Sequence, residues 1–81
     1  MKIQIEYFAI YRDLLGISSE ELEVSDGLSI KELFLQKTDA LMDRDELLES
    51  TVFAVNSDYE DCDYILKEGD EIVFIPPVSG G

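Results

Sequence analysis

Two consecutive glycines, Gly80-Gly81, close the sequence after Pro76-Pro77-Val78-Ser79. Glycine loses more backbone freedom on ordering than any other residue and brings no side chain to a core. A frayed end is the ordinary reading of such a segment. Two features favour a working tail. It follows an apolar strand and a Pro-Pro pair, which stiffens its root and points it away from the body. Gly-Gly is also slim enough to thread a narrow channel and present only the carboxylate of Gly81. Extended at ~3.3–3.6 Å per residue, residues 76–81 reach at most ~20 Å. A chain-terminal carboxylate titrates near ~3.5 and is ionised at neutral pH. It is a poor electrophile until one of its oxygens becomes a leaving group. Adenylation by ATP would make it an acyl-phosphate anhydride. Attack by a sulfur donor then leaves a thiocarboxylate. Attack by a thiol and later an amine joins the chain to another protein instead.

Either route needs catalysis from elsewhere. The sequence contains no G-x-x-x-x-G-K-[ST] loop and no G-x-G-x-x-G turn to hold a nucleotide. It contains no histidine, which excludes Ser-His and Cys-His pairs and any His-ligated metal. Cys62 is the single cysteine, so no internal disulfide is available, and a reducing cytoplasm is expected. Its neighbours Asp61 and Asp63 raise the pKa of a thiol and blunt its reactivity, so Cys62 reads as incidental. Asp58, Glu60, Asp61 and Asp63 crowd one loop, but without the glycine and terminal acid of an EF-hand, and no metal is expected.

The remaining composition sets the class. Eighty-one residues make one small domain, and 46% hydrophobic residues can build its core despite a net charge of −13. That charge repels phosphate backbones and anionic lipid, so neither nucleic acid nor membrane is an expected partner, whereas basic proteins are. No apolar run approaches the ~20 residues that span a bilayer, and Met1–Glu6 does not resemble a signal peptide.

The elements that would position the tail follow from periodicity. Ile3, Ile5 and Tyr7 alternate with polar residues and predict a strand over 2–8. Residues 9–16 predict a short helical turn with Leu14 and Leu15 inward and Gly16 as its stop. Leu22 and Val24 alternate with Glu21 and Glu23 in a second strand over 20–25. Ser29-Ile30-Lys31-Glu32 fits a capping box, and Ile30, Leu33 and Phe34 share one helix face, which predicts a helix over 29–37. Residues 39–49, with Leu41, Leu47 and Leu48, predict a loop with a short helical piece. Thr51–Asn56 is a third strand, Asn56-Ser57-Asp58 a turn, and Tyr64–Leu66 a short strand or packed turn. Glu71–Ile75 is the last strand, ended by Pro76-Pro77. The order β-β-α-β-(β)-β predicts an α+β, β-grasp (ubiquitin-like) mixed sheet with one main helix on one face. Residues 1–75 would be the single domain and 76–81 a flexible C-terminal tail.

Phe8 breaks the alternation of the first strand. If Ile3, Ile5 and Tyr7 face the helix, Phe8 faces the other side of the sheet, unless it folds back under residues 9–16. The last strand is apolar on both faces, so one of its two sets must also face outward. Phe8, Tyr59 and Ile75, ringed by acids, are the expected partner contacts. Arg12 is either paired with a carboxylate or solvated.

Phe74-Ile75-Pro76-Pro77-Val78-Ser79-Gly80-Gly81 resembles the terminal signature of the small subunit of molybdopterin synthase, the MoaD-type sulfur carriers. Tyr7-Phe8-Ala9, Arg12, Leu14-Leu15-Gly16, Ala54-Val55-Asn56 and Gly69-Asp70-Glu71 extend the resemblance along the chain. Residues 36–50 show no clear match, and Ile75 stands where the family often has an aromatic. The resemblance implies a sulfur-donor subunit of a sulfurtransferase complex, not an enzyme by itself. Gly81, presented by Gly80, would be adenylated by a ubiquitin-activating-like adenylyltransferase that uses ATP; this chain would bind no cofactor. Sulfur from a cysteine desulfurase or rhodanese-type donor would make the thiocarboxylate. The tail, with Pro76, Pro77, Val78 and Ser79, would then enter the large subunit of molybdopterin synthase. There it would donate sulfur to cyclic pyranopterin monophosphate, forming the dithiolene of the molybdenum cofactor. The assembly would be a heterotetramer. Sulfur carriers for thiazole synthesis or tRNA thiolation share the fold and Gly-Gly, as do ubiquitin-like modifiers; these are the alternatives.

Overall fold

The computed structural model describes residues 1–39 and 44–76. Five strands, β1 (Lys2–Tyr7), β2 (Ser19–Glu23), β3 (Val52–Val55), β4 (Asp58–Glu60) and β5 (Glu71–Ile75), form one sheet in the order β2-β1-β5-β3-β4. β1 and β5 run parallel, and every other pair is antiparallel. The helices are α1 (Ile10–Leu15), α2 (Ile30–Lys37) and α3 (Arg44–Ser50). This is the mixed β-grasp sheet expected from the sequence, with β1, β5 and β3 inside it and β2 and β4 at its edges.

Register explains which side chains face α2. Residues paired across strands share a face. Ile5 lies opposite Ile72 and Tyr7 opposite Phe74, while Phe53 lies opposite Phe74 and Val55 opposite Ile72. With Ile3 these residues pack against Ile30, Leu33 and Phe34 of α2. α2 begins where the sequence predicts. Ser29 Oγ accepts from the Glu32 N–H at 3.1 Å, and Glu32 Oε1 accepts from the Ser29 N–H at 3.3 Å. The centre is aromatic. Phe74 contacts the rings of Tyr7, Tyr11, Phe34 and Phe53 at centroid separations of 5.5, 6.0, 5.5 and 5.4 Å.

Three expectations need correction. First, Leu14 does not pack inward but is 45% exposed. Tyr11 is the buried residue of α1, with Leu15 one turn on packed at the core margin. In a helix of six residues, the i, i+4 pair takes the inward face and Leu14 falls beside it. Second, of the two alternatives for Tyr64–Leu66 the strand falls and the packed turn holds, with Leu66 buried and Ile65 making only an isolated bridge to Ser29. The turn is tied to the start of α2 by the Ile30 N–H on the Tyr64 carbonyl and the Leu66 N–H on the Leu28 carbonyl, at 3.0 and 2.8 Å. Third, the fourth strand is Asp58–Glu60, paired to β3 through a turn at Asn56-Ser57. Both turn residues have positive φ, 52° and 76°, the type I′ pattern whose twist suits a two-residue hairpin. The short helical piece expected in 39–49 is α3, with Leu47 and Leu48 half-buried against the core; Leu41 lies outside the described residues.

Two polar clusters hold the margins. Asn56 donates from Nδ2 to Asp70 at 2.9 Å and accepts the Glu71 N–H at 3.0 Å. Asp70 also accepts from the Lys67 N–H and the Tyr64 hydroxyl. This clasp fixes the start of β5 against the β3–β4 turn. At the other margin, Glu20 joins β2 to β1 and α2. It accepts from the Tyr7 hydroxyl at 2.5 Å and pairs with Lys37 at 2.7 Å. Partial burial of the Glu20 carboxylate works against ionisation, but the hydrogen bonds from Lys37 and Tyr7 win and hold its pKa below the usual glutamate range.

A Phe74→Ala variant removes the ring shared by four aromatic contacts. The expected loss is ~3–5 kcal/mol, against a total stability of roughly 4–12 kcal/mol for a chain this size; urea denaturation measures it. The Glu20 pair makes a pH-dependent prediction. A carboxylate held low in the folded state stabilises above the ordinary glutamate range and loses that contribution as pH falls through its folded value. Glu20→Gln should therefore lower the melting temperature at pH 7. The gap from the parent protein should close as pH falls from ~4.3 downward. A gap that does not change with pH would show that the charge of Glu20 plays no part.

Candidate functional site

The sheet face opposite α2 is set by the complementary register. On it, Ile75 lies opposite Val52, Val73 opposite Ala54, Ala54 opposite Tyr59 and Glu6 opposite Val73. Phe8 follows β1 at the same end. Phe8 is 49% exposed, Val52 45% and Tyr59 78%, while Val73 and Ile75 are half-buried. No described element covers these side chains, so they form an apolar patch at the end of the sheet where β5 finishes. Phe8 does not fold back under α1. Its carbonyl accepts the Tyr11 N–H at 3.0 Å to start that helix, and Ala9, at φ 49°, turns the chain away. A left-handed φ is uncommon for alanine.

The three expected contacts, Phe8, Tyr59 and Ile75, are therefore brought to one face. Val52 belongs with them and sequence reasoning missed it. Residues 51–56 are apolar on both parities, and only the pairing of Val52 with Ile75 reveals which parity faces outward. Acids share the face: exposed Glu6 lies beside Val73, and exposed Glu21, Glu23 and Glu71 lie toward the opposite end of the sheet, with Lys2 the one basic residue among these paired positions.

The tail is positioned by β5. Central in the sheet, this strand delivers the chain to Pro76 between β1 and β3, beside Phe8 and Val52. Pro76 itself is buried, so it anchors the exit and presents little surface to a partner. The remaining expected site residues, Pro77, Val78, Ser79, Gly80 and Gly81, lie outside the described residues. Arg12 is exposed on α1. Cys62 is half-buried, and its carbonyl accepts the Lys31 N–H at 2.9 Å. Among the described residues no His, Cys, Asp and Glu side chains gather as a metal-binding group, and no helix is long and apolar enough to cross a membrane.

What this arrangement can do is dock a protein by an apolar face at the end of the sheet where β5 finishes.

Comparison with known proteins finds relatives along the whole chain. A model of the ThiS family matches residues 5–81. The molybdopterin synthase sulfur carrier subunit of Chlamydomonas reinhardtii is 37% identical over 84 residues, covering all of both chains. The crystal structure of SAMP1 from Haloferax volcanii superimposes with a TM-score of 0.80 over all of both chains at 21% identity, which establishes the shared fold. A chain from the protein–protein complex of subunits 1 and 2 of molybdopterin-converting factor from Helicobacter pylori matches at 27% identity and a TM-score of 0.61, again over all of both chains.

Exposed patch residues hold nothing together in the isolated chain. Substituting Phe8 or Tyr59 by serine should shift unfolding free energy by no more than ~0.5 kcal/mol, as measured by denaturant titration. A cost like that of a core phenylalanine would mean the patch is structural.

Proposed function

The chain belongs to the ThiS family, and we propose that it is the sulfur-carrier subunit of a molybdopterin synthase. The observation that carries this reading is the whole-length likeness to a relative bearing that name, 37% identical and without a gap in coverage at either end. The geometry is consistent with it: an apolar docking face and a strand end beside it.

In this reading the carboxylate of Gly81 attacks the α-phosphate of ATP on an activating partner of the ubiquitin-activating type. Pyrophosphate leaves, and an acyl-adenylate forms. The persulfide of a cysteine desulfurase or rhodanese-type donor displaces AMP to give an acyl disulfide, and a thiol of the partner cleaves its S–S bond, leaving a thiocarboxylate on Gly81 and a disulfide on the partner. The charged carrier then docks its outer sheet face on the large subunit; the Helicobacter pylori neighbour was solved as a complex of subunits 1 and 2. The thiocarboxylate gives its sulfur to the pterin precursor, and the carboxylate is regenerated. Gly80 matters because a side chain there would widen the tail where it must be narrowest. The chain supplies the leaving position and its partners supply nucleotide, metal and acid–base groups. A reducing cytoplasm suits the cycle, since both a thiocarboxylate and the lone thiol of Cys62 are preserved there.

The experiment is intact-mass spectrometry after incubation with an activating enzyme, ATP and a sulfur source. One oxygen-to-sulfur exchange, localised to Gly81 by fragmentation, is the expected result. A ladder of covalent adducts to other proteins would replace the carrier by a protein modifier. Removing Gly81 should abolish the exchange and leave the melting temperature nearly unchanged, because a terminal glycine brings no side chain to a core.

A further inference from the structure

A groove of about 560 Å³ lies between α3 and the β3–β4 hairpin. It is continuous with the outer face, because Val52 and Tyr59 belong to both. Leu48, Val52 and Cys62 give it apolar walls, and Glu49, Glu60 and Asp61 line it with carboxylates. None of these three carboxylates is ion-paired among the described residues. Among the described residues Lys31 is the single basic residue lining the groove, against three acids, and Phe53 of the aromatic core closes part of its floor.

We propose that the groove extends the docking face around the β4 edge and receives a lysine or arginine side chain from the protein partner. The inference rests on the sulfur-carrier reading, in which a large subunit covers the outer face. Two properties select this occupant. An apolar wall beneath acidic groups suits a side chain with a long aliphatic stem and a cationic tip, which buries the stem and keeps the charge among polar groups. The excess of carboxylates disfavours an acidic or purely apolar insert. Continuity through Val52 and Tyr59 means that a partner seated on the patch needs no second approach to reach the groove. The pair it forms there would be shielded from solvent by the partner itself. Its loss would act on dissociation, whereas the general acidity of the chain acts on encounter.

That difference supplies the test. Binding of the full chain to the large subunit is followed by surface plasmon resonance for the parent protein, Asp61→Lys in the groove and Asp26→Lys on the turn before α2. The two variants carry the same net charge, and Asp26 is 95% exposed in its side chain, far from the groove lining. Melting temperatures confirm that each variant is folded; should Asp61→Lys fail, Glu49→Lys takes its place. The expected result is a rise of about tenfold in the dissociation rate for the groove variant, with Asp26→Lys altering only the association rate. Equal effects of both variants, confined to association, would overturn the groove and leave the sulfur-carrier reading standing. A parent chain that does not bind the large subunit would overturn the carrier reading, and the groove inference with it.

Discussion

The structure depends on the placement of one ring. Phe74 lies on the central strand and touches four other aromatics, drawn from β1, α1, α2 and β3. Each neighbour approaches at an edge-on or tilted angle, the geometry that aromatic quadrupoles favour over a stacked sandwich. A chain of 81 residues has few layers in which to bury apolar surface, and it covers only about 60% of what its unfolded form exposes. Concentrating large rings around one residue meets that constraint. It also makes β5 the reference against which every other element is registered.

The same strand serves docking through its other parity. Ile72 and Phe74 face the helix, and Val73 and Ile75 face outward. One residue of register slip would exchange the two sets. The Asn56–Asp70 clasp matters for that reason. It fixes the first residue of β5 against the β3–β4 turn, and so fixes which side chains reach the patch and where Pro76 leaves the sheet. The matches at Ala54-Val55-Asn56 and Gly69-Asp70-Glu71, separate in sequence, are two halves of one device.

Much of this was legible in the sequence because the signals were local and strong. Alternation over Ile3, Ile5 and Tyr7 gives the strand and its buried face, and the capping box at Ser29 gives the helix start. Phe8 and Ile75 could be placed outside because alternation has only two answers. What escaped had non-local causes. β4 is Asp58-Tyr59-Glu60, polar at two of three positions, and its turn uses Asn-Ser where Asn-Gly would be the obvious hairpin sign. It is a strand because β3 offers it a partner. Val52 escaped because a segment apolar on both parities has no visible inside until its neighbour is known. Leu14 was misread because six residues are too few to distinguish a helix face by period alone. The groove beside α3 is built from three segments distant in sequence, so no motif announces it.

The acidity acquires two distinct meanings once the residues are placed. A net charge of −13 on a small domain is self-repulsive and works against folding. Glu20 is held by a side-chain cation, Lys37, at the core margin. The acids on the outer face sit on exposed strand positions, where water screens them within about 10 Å at ordinary salt. They cost the fold little there and steer basic partners from beyond contact range. The carboxylates of the groove lie where a docked partner would exclude that water, so the same charge becomes a short-range, selective contact. A carrier that must visit several enzymes and leave each one benefits from keeping these roles apart. Long-range attraction speeds every encounter without holding any partner, and a local pair in the groove adds residence only where a cation is presented to it.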